Sequence, residues 1–107
     1  MTAVISYARA SATTGGVAFD VALEAISSGD ALDTDATTSF DSVNTGTDSA
    51  VPGTAGYMEQ VSVTLTNADS IAAADLVRVS VARAVANGAD TATGDCYLLS
   101  VEIRDAA

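Results

Sequence analysis

The sequence predicts an all-β fold, an antiparallel β-sandwich, on three observations. Several runs show strict period-two hydrophobic alternation, convincing helix is scarce, and turn-forming residues recur at fairly regular spacing between the runs. The two strongest runs are Leu76–Arg83 and Cys96–Arg104. In the first, Val77, Val79 and Val81 share one face while Arg78 and Ser80 take the other. In the second, Tyr97, Leu99, Val101 and Ile103 line one face against Ser100, Glu102 and Arg104. β-branched side chains in alternation mark half-buried antiparallel strands, so the chain is expected to organise around this pair.

The other elements follow in order. Thr2–Ala8 is a short strand with Val4 alternating against Ile5 and Tyr7, and Arg9–Gly16 is a turn closed by Gly15 and Gly16. Val17–Leu23 sets Val17, Phe19, Val21 and Leu23 on one face, against Ala18, Asp20 and Ala22. A helix over Val17–Ile26 is the weaker alternative, because Val17, Phe19 and Val21 cannot share a helix face. From Ser27 to Gly56 the only apolar anchors are Leu32, Phe40, Val43 and Val51. A structureless loop of about thirty residues is unusual in a compact domain, which predicts a brief strand near Thr38–Val43. After the Pro52-Gly53 turn, Tyr57–Thr66 is a strong strand with Tyr57, Glu59, Val61, Val63 and Leu65 on one side, the glutamate lying outside the core. Asn67–Ala74 is a connection that includes one helical turn at Ser70–Ala74. Ala84–Asp95, with Asn87-Gly88 and Gly94-Asp95 as turn formers, is longer than an ordinary hairpin loop. The last two strands therefore either pair directly or sit in opposite sheets.

At 107 residues the chain is expected to form one domain, and a domain of this size buries roughly 65% of its unfolded surface. Fourteen acidic residues stand against four arginines, with no lysine and no histidine, for a formal charge of -10. That balance repels phosphate backbones and anionic lipid, so neither nucleic acid nor a membrane surface is an expected partner. The lack of histidine removes triads, imidazole acid-base chemistry and histidine metal sites. Most acidic residues fall on loops or exposed strand faces, with only Asp20, Glu24, Glu59 and Glu102 in or beside strands, which is poor support for a glycosidase pair. Gly15-Gly16 and Gly53 lack the lysine and the strand-to-helix context of a phosphate loop. No enzyme, catalytic residue or cofactor is expected.

Asp33 and Asp35 have the alternate spacing of calcium loops, yet the following glycine and late glutamate are missing. A solvated acidic loop is the expectation and a weak calcium site the alternative. Cys96 is the only cysteine, so no internal disulfide forms, and it is expected to be a small buried filler. Tyr7, Tyr57 and Tyr97 are expected in the core or at its rim. No apolar run reaches the roughly 18 residues of a membrane span, and no signal peptide is expected at the N-terminus.

The segments Asp75-Leu76-Val77-Arg78-Val79-Ser80-Val81-Ala82-Arg83, Asp90-Thr91, and Gly94-Asp95 through Arg104 resemble the C-terminal half of a jelly-roll module found in virion proteins of tailed bacteriophages. Val17–Ile26 followed by Ser28-Gly29-Asp30-Ala31-Leu32-Asp33 is similar to the strand and acidic turn of the same modules. The likeness covers most of the chain, and Asp90-Thr91 ahead of the Leu-rich last strand is its most distinctive part. Two departures stand out: Thr2–Ala8 replaces the extra strands and aromatic such modules carry before the position of Val17, and no fibrous shaft is present. The resemblance implies a jelly-roll-like sandwich located in the virion, and a structural role as a capsid decoration (cement) protein. Its implied partner is the major capsid protein or another virion protein, and its implied state a homo-oligomer, a trimer for preference. A receptor- or glycan-binding module of a tail or head fibre is the alternative. A subunit of an extracellular filament assembled by strand exchange is a weaker one. On this reading Thr2–Ala8 is the element that reaches a neighbouring subunit.

Overall fold

Residues 1–30 and 39–105 are described by the computed structural model. Among them six strands form: β1 (Thr2–Arg9), β2 (Val17–Ile26), β3 (Asn44–Asp48), β4 (Met58–Thr64), β5 (Leu76–Arg83) and β6 (Cys96–Arg104). They make two three-stranded antiparallel sheets, ordered β4-β1-β6 and β3-β2-β5, which pack together as a β-sandwich. The last two strands lie in opposite sheets, β6 on β1 and β5 on β2.

The core is centred elsewhere than the alternation suggests. Strands β5 and β6, expected to organise the chain, are edge strands and largely exposed, whereas β1 and β2 are buried along almost their whole length. Ala3, Ile5 and Tyr7 of β1 meet Val17, Phe19, Val21 and Leu23 of β2, joined by Val61, Val63 and Leu65. The outward side of β1 is buried as well, because a central strand with small residues is overhung by its neighbours. Ala8 lies between Met58 and Tyr97, and the Gln60 amide donates to the Ser6 hydroxyl at 3.1 Å. Thr2–Ala8 therefore cannot be an arm for a neighbouring subunit, since β4 and β6 occupy both of its edges.

Three local expectations are corrected. The third strand is Asn44–Asp48, not Thr38–Val43, and Thr38 lies outside the described residues. The Asp41 carboxylate accepts from the Ser42 and Asp69 amides, a side-chain to backbone pattern that competes with a ladder. Ser70–Ala74 is not a helical turn: Ser70 and Ala74 sit at φ 52° and 68°, in the left-handed region where a right-handed helix cannot propagate. In β6, Ser6 faces Ser100 but Tyr7 faces Leu98, leaving Leu99 as a bulge. The bulge flips the alternation, so Tyr97 lies on the face opposite Val101 and Ile103 instead of sharing theirs.

Candidate functional site

The two sheets meet closely along one side and part along the other. At β3 a side chain on Gly46 would begin 2.5 Å from Val63 Cγ2 and 3.2 Å from the Ser62 carbonyl oxygen, so β3 and β4 close that side. At the opposite side, β5 and β6 leave an open seam. Pairing with the core residues of β2 assigns Val77, Val79 and Val81 to the inward face of β5. Pairing with β1 does the same for Cys96, Leu98, Val101 and Ile103 of β6. Inward-facing residues of a closed sandwich are buried, yet Val79 is 39% exposed, Leu98 51% and Ile103 39%, with the bulged Leu99 at 54%. A cleft of about 400 Å³ opens there, lined by Phe19, Val81, Arg83, Asp95, Cys96, Tyr97 and Leu98.

One end of the seam is built by the connection from Ala84 to Asp95. Arg83 shares the inward parity of Val77, Val79 and Val81, and a charge on that face needs partners. It forms a two-pronged pair with Asp90, Nε to Oδ2 at 2.9 Å and Nη2 to Oδ1 at 2.8 Å, and donates to the carbonyls of Ala92 and Gly94. Arg9, only 1% exposed, donates to the carbonyls of Thr93 and Gly94 at 2.6 and 2.8 Å. Asp90 also accepts from the Ala18 amide, and the Thr91 hydroxyl accepts from Gly16 N–H. Gly16 has no space for a side chain: a Cβ would lie 2.6 Å from the Asp48 carbonyl oxygen and 2.8 Å from that of Ala89. The Asp90-Thr91 pair singled out in the sequence thus pins the connection onto the Gly15-Gly16 turn.

Electrostatics match this anchoring role. Burial pushes the Asp90 carboxyl up, but the hydrogen bonds from Arg83 and Ala18 and the charges of Arg83 and Arg9 outweigh it, leaving the group below its ordinary value. The Tyr7 phenol is raised far above its usual range by burial and by the 2.7 Å hydrogen bond it donates to Asp48. Neither shift creates a general acid or base near neutrality.

The remaining flagged residues are dispersed. Asp33 and Asp35, the calcium candidates, lie outside the described residues. Asp20 accepts from the Thr45 hydroxyl, and Glu102 pairs with Arg104 in solvent. Glu24 is buried at 1% exposure beside Arg78, 3.1 Å away, and takes the Ser39 amide; its Oε1 is close enough to Arg78 for an ion pair but lacks hydrogen-bond alignment. Cys96 is half-buried against the core, while Tyr7 is fully buried and Tyr57 and Tyr97 are exposed. Among the described residues no group of three or more Cys, Asp or Glu side chains could hold a metal ion, and no helix is long and apolar enough to cross a membrane. Sequence reasoning missed Arg9, which it put in a turn, and the clamp made with Arg83. The available signal was parity: each arginine continues the inward face of its strand.

No family model matches the chain, and no curated protein or solved structure matches it.

Proposed function

We propose that this chain is a structural module whose work is assembly, and that its setting is the particle of a tailed bacteriophage, as a capsid decoration protein. The single observation carrying the assembly reading is the open β5/β6 seam, where core-facing Val79, Leu98 and Ile103 are left part-exposed between two strand edges that pair with no other strand among the described residues. Unpaired edges and exposed core faces are covered by partners in proteins that work as assemblies. The virion setting rests on the resemblance of Asp75–Arg83 and Gly94–Arg104 to phage jelly-roll modules. The nested pairing of β1 with β6 and β2 with β5 is the way a jelly roll wraps, which supports that variant, although β3 and β4 divide between the sheets. Catalysis has no part in this proposal. A protein that binds only the assembled shell stabilises it by mass action.

The test is copy number. Particles purified from a lysate that supplies the chain are weighed for it by quantitative mass spectrometry. Hundreds of copies per particle support decoration; absence from particles sinks it.

A fibre-tip reading is favoured by one feature. Tyr57 and Tyr97 are 65% and 54% exposed, and Met58 and Tyr97 flank Ala8 on the outer face of the β4-β1-β6 sheet. Exposed aromatic rings are what a glycan stacks on, and binding on a glycan array that is lost in Tyr97→Ala, with few copies per particle, would select it.

A further inference from the structure

We infer that the open seam is closed by a second copy of this chain, related by a two-fold axis through the middles of β5 and β6. The two three-stranded sheets become two six-stranded sheets around one shared core. The inference stands on the seam alone and holds whether or not the module belongs to a virion.

The geometry is self-complementary. Among the described residues β5 and β6 each pair on one side only, and the edges left open border the same cleft, into which Val81 and Leu98 both project. A two-fold axis normal to the sheets sets each edge strand antiparallel to its own copy, so both edges are satisfied at once. On β5, pairing about Val79 puts Val77 opposite Val81 of the other copy, inward face against inward face. On β6 the bulge at Leu99 makes inward residues even-numbered before it and odd-numbered after it. Matching faces therefore requires Cys96 and Leu98 to oppose residues of the later half. Pairing about the Leu99–Ser100 peptide does this, placing Cys96 opposite Ile103 and Leu98 opposite Val101. It also sets exposed Asp95 opposite Arg104.

Charge points to the same occupant. With a formal charge of -10 per chain, two copies repel over most approaches. The seam side is less acidic: Arg78, Arg83 and Arg104 stand there against Glu24, Asp75, Asp90, Asp95 and Glu102, leaving a net of -2 of the formal -10. Three of the four arginines sit on this side of the molecule, so most of the net charge of the described residues lies elsewhere. A basic partner segment would find fewer carboxylates to grip here than elsewhere, whereas a second apolar seam of low net charge finds its match. Strands of eight and nine residues with their flanks approach the roughly 20–30 residues a side of a stable interface.

The experiment uses the full chain in sedimentation and crosslinking. The expected species is a dimer at micromolar concentration, tightening as salt rises from about 0.05 to 0.5 M because screening relieves repulsion between the outer surfaces. Ile103→Cys should trap it as a covalent dimer with Cys96 of the other copy under mild oxidation. The wild-type chain should not be trapped, since its two Cys96 thiols lie at opposite ends of the paired strands, and Cys96→Ser combined with Ile103→Cys should abolish trapping. Asp95→Arg or Arg104→Asp alone should weaken the dimer by about tenfold, and the two together should restore it. Val79→Lys with Leu98→Lys should give a monomer; Leu98→Ala, milder at a half-exposed site, should weaken the dimer with the circular dichroism spectrum kept. A chain still monomeric at about 100 μM overturns the inference. So does a trimer, binding that weakens with salt, or a dimer that Ile103→Cys fails to trap.

Discussion

The two sides of the sandwich invert what alternation alone suggests. β3, Asn-Thr-Gly-Thr-Asp, has the weakest hydrophobic pattern of the six strands, yet its inward residues Asn44 and Gly46 are buried. β5 and β6 have the strongest patterns and contain no fully buried residue. The difference lies in neighbours. Gly46 lets β3 come against Val63 and Ser62, and Asn44 spends its amide on the carbonyls of Val21 and Asn67 while accepting from Asn67 N–H. On the far side, Val79 and Leu98 line edge strands with no further strand beside them among the described residues. A period of two says which side chains share a face, and the next element decides whether that face is covered.

Breaking the centre should have the largest effect. Deleting Met1–Ala8 removes the strand between β4 and β6 together with Ile5 and Tyr7, so cooperative thermal unfolding should vanish. A truncated chain that melts like the parent but fails to assemble would restore the reading of this segment as a free arm.

Next in size is Arg83→Ala, at the end of the seam. It leaves the Asp90 side chain, 3% exposed, without its pair and frees the carbonyls of Ala92 and Gly94. A loss of about 2–3 kcal/mol in urea unfolding is expected, the scale of hydrogen bonds to charged groups in a part-buried pair. A loss under 1 kcal/mol would mean the clamp is ornamental, since surface changes cost about that or less.

On the closed side, Gly46→Val should cost about 1–3 kcal/mol by overpacking, read as a lowered urea midpoint. An unchanged midpoint would show that β3 and β4 can separate as freely as the seam.

The clamp also sharpens the comparison through pH. Asp90 titrates lower in the folded chain than when unfolded, so its contribution is complete above the ordinary carboxylate range and disappears as pH falls through the depressed folded value. Denaturation midpoints followed from pH 6 downward should fall in the parent, and the part due to this pair should be missing in Arg83→Ala. Equal acid slopes in the two proteins would contradict the assignment.

Smallest is Val79→Thr. In dilute solution, where the seam is uncovered, a polar group at this 39% exposed site should change stability by about 0.5 kcal/mol or less. The same change should weaken association. A loss of 2 kcal/mol or more in the isolated chain, the scale of a core residue, would mean the seam is closed within a single copy.

The sequence by itself determined the sandwich class, five of the six strands nearly in place, and the inward faces of β2 and β4, because alternation is local and needs no partner to be read. It also carried the Asp90-Thr91 signal and the exclusion of histidine chemistry, both matters of residue identity. Only the tertiary structure decided that β1 and β2 are central and β5 and β6 are edges, since strand order depends on which distant segments pair. The same applies to Arg9, whose burial comes from carbonyls 84 and 85 residues away. It applies also to the bulge at Leu99, which arises from pairing with β1 and moves Tyr97 to the opposite face. The open seam lies beyond local pattern for the same physical reason: exposure of an apolar strand is set by what packs on it, and that is a property of the folded arrangement.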